Sequence, residues 1–296
     1  MMMRPRRRLR PDLLTAKTIK EMAVTLDDIK ALRTKTGAGM SDCKKALTEA
    51  EGDFEKAIEI IRKKGLAVAA KRSDREASEG CVLVKVDGNF GAIIALKCET
   101  DFVANNKDFI ALTQSILDAA VAAKAKSLDE VKALPFDGKT VADIVLERTG
   151  IVGEKLELDG YNFLEAPEIA SYNHQGKNFL CCLVAFNKEA SDKDYVHEIA
   201  LQVAAQNPIA VKPEEVPADI VAREKEIAAD KARQEGKPEN MIERIAEGRM
   251  KKFYDESCLL NQKYIVDEKK TVAEYLKALD KELTVTAFRR FTLKSE

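Results

Sequence analysis

Tryptophan is absent from this chain of 296 residues, and histidine occurs only twice, at His174 and His197. Neither histidine lies at the spacing from other ligands that zinc sites use, so the sequence provides no metal site. A complete phosphate-binding loop of the Walker type and a G-x-S-x-G nucleophile elbow are also missing. We therefore expect no catalytic residue, no metal and no cofactor, and an enzyme is the least favoured class of protein.

Long apolar stretches are missing as well, since no run approaches the roughly 18 residues that a membrane-spanning helix requires. Six cysteines are present, but they include no CxxC pair and lack the regular spacing of a disulfide framework. We interpret them as reduced thiols of a cytoplasmic protein. Cys181 and Cys182 are adjacent in an apolar, strand-like segment, so they are predicted to point to opposite faces of one strand.

Positive charge is concentrated at the start of the chain. Residues 1–21 contain seven lysines and arginines against Asp12 and Glu21, a net charge of +5, so the formal −1 of the whole chain leaves about −6 for residues 22–296. An acidic body argues against direct binding of nucleic acid. Residues 1–22 are a basic extension, interpreted either as translation assigned from too early a start or as an organellar transit segment.

The composition is that of a soluble globular protein, with 45% hydrophobic and 33% charged residues. Residues 23–66 predict three short helices, of which the second begins at Ser41 or Asp42 and the third ends at Gly65. A bundle of this size is marginally stable alone and is suited to docking on a partner. Residues 67–79, rich in alanine, lysine and arginine, follow as a helical or flexible linker.

Two similar blocks come next, each with two apolar strands separated by a polar turn and followed by an amphipathic helix. The first block comprises strands 82–86 and 90–98 with helix 106–123, and the second comprises strands 168–172 and 179–186 with helix 193–206. A two-stranded hairpin is marginal by itself, so each hairpin needs its helix and its neighbours. The pattern predicts an α+β fold with a core of two related ββα subdomains.

Residues 217–257 are highly charged and predict two helices joined at Gly236–Pro238, which form a projecting helical hairpin. A short strand at 155–158 and a terminal strand at 284–291 complete the predicted elements. The predicted domains are 80–166 for the first core subdomain, 167–212 with 258–296 for the second, and 213–257 for the hairpin.

The corner Thr100–Val103 joins the second strand of the first block to its helix. Such a corner is usually polar, but this one places Phe102 next to Asp101. The phenylalanine either packs under its own domain or enters a pocket on another protein, where buried aromatic rings contribute much of the binding energy. His174 presents a similar choice in its polar turn, between a structural residue and a contact with a partner.

Six short motifs occur in an order that is typical of one protein family. They are Thr36–Met40 with Asp42–Leu47, Asp87–Asn89, Thr100–Val103, Ser171–Tyr172 with His174, Gly248–Phe253, and Lys270–Val272. Each motif is weak alone, but together they extend over nearly everything after the basic extension. The chain resembles bacterial-type elongation factor Ts, the nucleotide exchange factor of elongation factor Tu.

This resemblance implies that the first domain is a ubiquitin-associated-like (UBA-like) bundle and that the helical hairpin is an inserted antiparallel coiled coil. It also implies that the Thr-Asp-Phe-Val loop enters the GTPase domain of elongation factor Tu and dislodges the Mg²⁺ bound with GDP. Asp101 and Phe102 would hold that role, with Thr100 and Val103 shaping the loop.

Three further residues match partner contacts of the family. His174 corresponds to a histidine that touches the GTPase and disturbs its phosphate-binding side. The three-helix domain would dock the same GTPase through its Gly-Ala-Gly-Met turn, with Arg33 and Met40 as contacts. Some members continue past the last strand into a further helical module; this chain ends at Glu296, so we expect binding to depend more on the first domain and the core.

The implied partner is elongation factor Tu in its GDP-bound and nucleotide-free forms, without direct contact to nucleic acid or a membrane. Self-association through the core or the helical hairpin stays open. The alternative function is a non-catalytic adaptor, in which the three-helix domain binds ubiquitin-like or other helical proteins.

Overall fold

The computed structural model describes residues 24–189 and 193–293. The basic extension, residues 1–22, lies outside the described residues. Helices and antiparallel sheets occur in one chain, so the predicted α+β class is confirmed. The described chain forms two compact units, one from residues 24–76 and 143–156 and the other from residues 77–142 with the described part of 157–293.

The helices in chain order are α1 Leu26–Thr36, α2 Met40–Glu49, α3 Phe54–Lys71, α4 Asp101–Ala104, α5 Lys107–Ala122, α6 Leu128–Ala133, α7 Val141–Val152, α8 Asp194–Gln206, α9 Ala218–Gln234, α10 Glu239–Ser257 and α11 Val272–Leu279. The strands are β1 Glu79–Asp87, β2 Phe90–Cys98, β3 Pro135–Phe136, β4 Lys139–Thr140, β5 Glu157–Glu165, β6 Glu168–Asn173, β7 Leu180–Phe186 and β8 Val285–Thr292. No helix of the described chain is both long and apolar enough to cross a membrane.

The first unit is built on α1, α2 and α3. Thr25 caps α1, since its hydroxyl accepts from the Asp28 amide at 3.1 Å while the Asp28 carboxylate accepts from the Thr25 amide at 3.0 Å. This reciprocal pair satisfies two amides that the first helical turn leaves without a partner. Leu32, Cys43 and Leu47 lie in the buried core between the helices.

Two predicted helix boundaries in this unit are wrong. The second helix begins at Met40 after Gly39, not at Ser41 or Asp42. The third helix continues through Gly65 to Lys71 because Gly65 is a contact point and not a stop: a Cβ on Gly150 of α7 would lie 2.0 Å from its Cα. Residues 143–156, which fall in the predicted subdomain 80–166, thus pack with the first three helices.

The second unit contains two three-stranded antiparallel sheets, in the orders β1-β2-β5 and β6-β7-β8. The terminal strand was predicted and forms β8, whereas the short strand predicted at 155–158 overlaps the true β5 by only two residues. The strand β5 contains glycine and asparagine, which have low β-propensity, so the sequence does not predict a strand there. Gly160 is required there, because a Cβ would lie 2.6 Å from Ala95 Cβ and from the Phe291 ring.

The two sheets pack face to face through a core to which Val82, Ile93 and Cys181 contribute. Every residue of β7 is buried because its alternate side chains enter different cores. Cys181 lies between the sheets, whereas Cys182 packs with Tyr195 and other residues of α8. The prediction that these two cysteines face opposite sides of one strand is confirmed.

The helices α9 and α10 pack side by side, with Ala228, Ala232, Ile242, Ala246 and Met250 buried on their facing sides. Arg249 supports the pair, donating to the Ala228 carbonyl at 2.9 Å and to the Glu235 carboxylate at 2.7 Å. The segment leaves and rejoins the second unit at one place, where Ala210 and Cys258 form a parallel bridge.

Candidate functional site

The residues Thr100–Val103 form a single helical turn, α4, between β2 and α5. Thr100 adopts an extended backbone and its hydroxyl accepts from the Val103 amide at 3.4 Å. The carbonyl of Asp101 accepts from both the amide and the side chain of Asn105, at 2.9 and 2.8 Å. The predicted corner between strand and helix is therefore a hydrogen-bonded helical turn.

Phe102 extends from this turn with 85% of its surface exposed, more than any other large hydrophobic side chain in the described residues. The interpretation that it packs under its own domain is therefore wrong. Full burial of such a ring is worth about 2 kcal/mol, and the isolated protein leaves this free energy unused. Asp101 is exposed beside it, so the turn presents a carboxylate and an aromatic ring together.

Both ends of the turn are braced. On one side, the thiol of Cys98 at the end of β2 donates to the Thr100 carbonyl at 3.2 Å. On the other side, Asn106 caps α5, and its side-chain oxygen accepts from the Asp108 amide at 2.8 Å. The exposed ring is thus carried by a strand and a helix that are themselves packed in the core, so little order has to be acquired when a partner binds.

His174 lies in the turn between β6 and β7 and is half-buried. Its ring meets the rings of Tyr172 and Phe179 edge-on, with centroids 5.9 and 5.7 Å apart, and its Nδ1 lies 3.4 Å from the Tyr172 hydroxyl. His197 contacts the same tyrosine, with centroids 5.4 Å apart. Both histidines of the chain therefore adjoin Tyr172.

Tyr172 belongs to the motif Ser171–Tyr172 with His174, but its contact with both histidines was not predicted, although a signal was present. Residues two apart in a strand lie on one face, so Tyr172 and His174 should be neighbours wherever β6 continues as far as the turn. The ring contacts of His174 with Tyr172 and Phe179 give this residue a structural role within the turn.

The structure brings the α4 turn and the His174 turn to the start of the same strand. Cys98, two residues before Thr100, pairs with Glu79 at the first residue of β1. The Asn178 carbonyl, in the turn that follows His174, accepts from the Val82 amide at 2.7 Å. Phe102 and His174 consequently flank one end of the two-sheet core.

Arg33 and Met40 belong to the other compact unit. Arg33 is exposed in the last turn of α1, and its carbonyl accepts from the Gly37 amide at 2.7 Å. Gly37 ends α1 with φ +72°, a left-handed conformation that favours glycine. Met40 is the first residue of α2 and packs partly against the core of this unit.

All six cysteines are free and buried. Burial raises the pKa of Cys81 and of Cys182 to about 12, and that of Cys258 to about 11, because a thiolate is poorly solvated there. Neutral thiols of this kind are poor nucleophiles. Within residues 24–189 and 193–293, no group of three histidine, cysteine, aspartate or glutamate side chains is arranged to hold a metal ion.

Comparison with known proteins decides the family. The family model described as Elongation factor TS matches residues 99–295, which begin directly before the α4 turn and include both sheets' third strands, His174 and the helix pair. The chain belongs to the elongation factor Ts family. That family acts as the nucleotide exchange factor of elongation factor Tu, which is therefore the partner that the family implies.

The curated relatives agree with this assignment over most of the chain. Elongation factor Ts of Bacteroides fragilis and that of Phocaeicola vulgatus are each 51% identical to it, over 93% of this chain and 100% of their own. Elongation factor Ts of Porphyromonas gingivalis is 52% identical over 276 residues, with the same coverage. Members of the elongation factor Ts family exchange nucleotides on a GTPase, so the adaptor alternative is not favoured. They are not catalysts of covalent chemistry.

Proposed function

We propose that this protein binds elongation factor Tu in its GDP-bound form, displaces the Mg²⁺ ion held with the nucleotide, and so promotes GDP release before GTP binds. The observation that carries the proposal is the 85% exposed ring of Phe102 on a braced helical turn. The exposed ring does not stabilise the isolated protein, but its burial in a matching pocket of a partner would stabilise the complex.

Slow GDP release is a property of the GTPase, since the phosphate contacts and Mg²⁺ reinforce one another. A protein that binds the nucleotide-free form more tightly than the GDP form must weaken GDP binding by the same factor, because linkage is reciprocal. The proposed partner states are therefore the GDP-bound and the nucleotide-free protein. Exchange of this kind needs no cofactor on the exchange factor.

Phe102 would supply that preference by entering an apolar pocket that opens when the Mg²⁺-holding elements move apart. Its burial is worth about 2 kcal/mol, which corresponds to about a 30-fold change in rate or affinity. Asp101 would place its carboxylate beside the same elements, while Thr100 and Val103 keep the turn in shape. His174, at the same end of the core, would contact the phosphate-binding side of the GTPase.

The remaining parts of the chain are assigned by the same proposal. Residues 23–66 would be a UBA-like docking domain that uses Arg33 and Met40. The linker 67–79 would begin with the last turn of α3, which ends at Lys71. The core subdomains would be 80–166, apart from residues 143–156, which pack with the first three helices, and 167–212 with 258–296. Residues 213–257 would form a coiled coil. Self-association through the core or the coiled coil would be compatible with exchange provided that the end bearing Phe102 stays accessible.

Stopped-flow release of labelled GDP from elongation factor Tu tests the proposal. The variant Phe102→Ala should lower the maximal release rate about 30-fold and weaken binding less. Val266→Ala is a matched control, because this side chain is also exposed, at 63%, and belongs to a distant segment of the sequence, where the Ile265 amide donates to Gln202 of α8. Equal release rates for Phe102→Ala and the unmodified protein would disprove the role of the ring, and binding that ignores GDP and Mg²⁺ would indicate an adaptor.

A further inference from the structure

Arg148 of α7 lies directly over the Gly37 turn, although the two residues are far apart in the sequence. A Cβ placed on Gly37 would come within 2.5 Å of the guanidinium Nη1 of Arg148. Arg148 is half-buried, so part of its guanidinium group stays accessible to solvent. The turn that the family resemblance assigns to docking is thus covered on one side by a cation from a remote segment.

Neighbouring residues of α7 hold Arg148 in place, rather than a hydrogen bond or ion pair of its own side chain. Gly150 lies against Gly65, so that α7 and α3 approach backbone to backbone. Arg62 pairs with Glu147 at 3.2 Å, and Ile151 packs against the core of the unit. The side chain at position 148 is therefore carried to the Gly37 turn by contacts on both sides of it along α7.

The guanidinium groups of Arg148 and Arg33 differ from the paired cations of this unit. Lys35, for example, pairs with Glu55 at 3.0 Å, and Arg62 with Glu147. Among the described residues, by contrast, neither Arg148 nor Arg33 donates a side-chain hydrogen bond or forms an ion pair. Guanidinium offers five N–H donors in a planar arrangement that suits a carboxylate, and here these donors remain available.

We infer that Arg148 is a further partner-binding residue, which together with Arg33 receives a carboxylate side chain of elongation factor Tu beside Met40. The inference rests on the proposed function. Arg33 precedes Gly37 by one helical turn and Arg148 lies above it, so the two cations flank the same short turn. Hydrogen bonds between guanidinium and carboxylate are the strong, directional kind.

A purely structural role for Arg148 has a clear physical basis as well. A cation beside Gly37 stands at the C-terminal end of α1, where the helix dipole favours positive charge. In that case the substitution Arg148→Gln would lower the thermal midpoint of unfolding and leave the affinity for the partner unchanged.

The experiment titrates nucleotide-free elongation factor Tu with the full chain and, in parallel, measures GDP release as a function of its concentration. For Arg148→Gln we expect the dissociation constant and the half-saturating concentration to rise about tenfold, with an unchanged maximal release rate. The control is Lys63→Gln, which removes one positive charge from the same unit at an exposed pair with Glu59. It should leave both quantities within twofold of the unmodified protein.

An unchanged dissociation constant for Arg148→Gln would overturn the inference, as would an equal rise for Lys63→Gln, which would show a general charge effect. If Arg148→Gln unfolds more easily, Arg148→Lys keeps the cation at the helix end but loses the bidentate geometry. Its dissociation constant should still rise about threefold, and a value equal to that of the unmodified protein would contradict the inference. Failure of the proposed function would appear separately, as GDP release that does not respond to the unmodified protein.

Discussion

Phe102 and His174 flank the same end of the two-sheet core, yet their surroundings differ. The Phe102 ring is 85% exposed, whereas His174 packs against the rings of Tyr172 and Phe179. Nearly all the free energy of burying the Phe102 ring can therefore contribute to binding a partner. Part of the His174 ring already contributes to the stability of the protein itself. Removal of Phe102 should therefore leave folding nearly unchanged, whereas removal of His174 should weaken it.

The largest effect on nucleotide exchange is expected for Phe102→Ala, and this variant should fold normally. Because the ring makes little contact with its own domain, the free energy of unfolding should change by less than about 0.5 kcal/mol. The maximal GDP release rate should nevertheless fall about 30-fold. Denaturant unfolding beside stopped-flow release measures both quantities, and a clear loss of stability would place the ring in the core after all.

A second variant, His174→Ala, should affect both properties. Loss of its edge-on ring contacts is expected to cost about 1 kcal/mol of unfolding free energy. GDP release should fall about fivefold, less than for Phe102→Ala. Denaturant melts and release rates again provide the readout, with Lys177→Ala in the same turn as the control. A destabilised protein with a normal release rate would assign His174 to structure alone.

The third prediction concerns the support of the exposed ring. Thr100→Ala removes the cap of α4, an interaction worth about 1 kcal/mol, so the turn should lose part of its fixed geometry. We expect GDP release to fall about threefold, and Thr100→Ser, which retains the hydroxyl, to restore it. Similar rates for the alanine and serine variants would show that the cap does not matter for exchange.

The smallest effect is expected for Tyr172→Phe, which deletes only the hydroxyl that lies 3.4 Å from His174 Nδ1. The ring contacts stay in place, so stability should change by less than about 1 kcal/mol. The variant should slow GDP release about twofold in a protein that retains His174, and should have no further effect in one that carries His174→Ala. The double variant with His174→Ala tests this: an additive further loss would mean that Tyr172 does not act through the histidine.

Much of the fold could be predicted because it depends on neighbours in the sequence. The hairpins β1-β2 and β6-β7, helices α5, α8, α9 and α10, and the terminal strand β8 all lie within a few residues of their expected positions. Their apolar residues recur every second or every third to fourth position, which is the period of the element they form. The strand β5 was largely missed since its residues Gly160 and Asn162 are poor strand formers that the sheet accommodates.

Some features of the site likewise depend on adjacent residues in the sequence, and others depend on contacts between distant segments. Sequence alone determined the motifs that place this chain in the elongation factor Ts family, the capping of α1 and the oddity of an aromatic residue in the α4 corner, because each depends on adjacent residues. Only the tertiary structure decided that Phe102 is exposed, that His174 shares an aromatic cluster, and that Arg148 covers Gly37. These features depend on which distant segments pack together, and the pattern of neighbouring residues does not specify that packing.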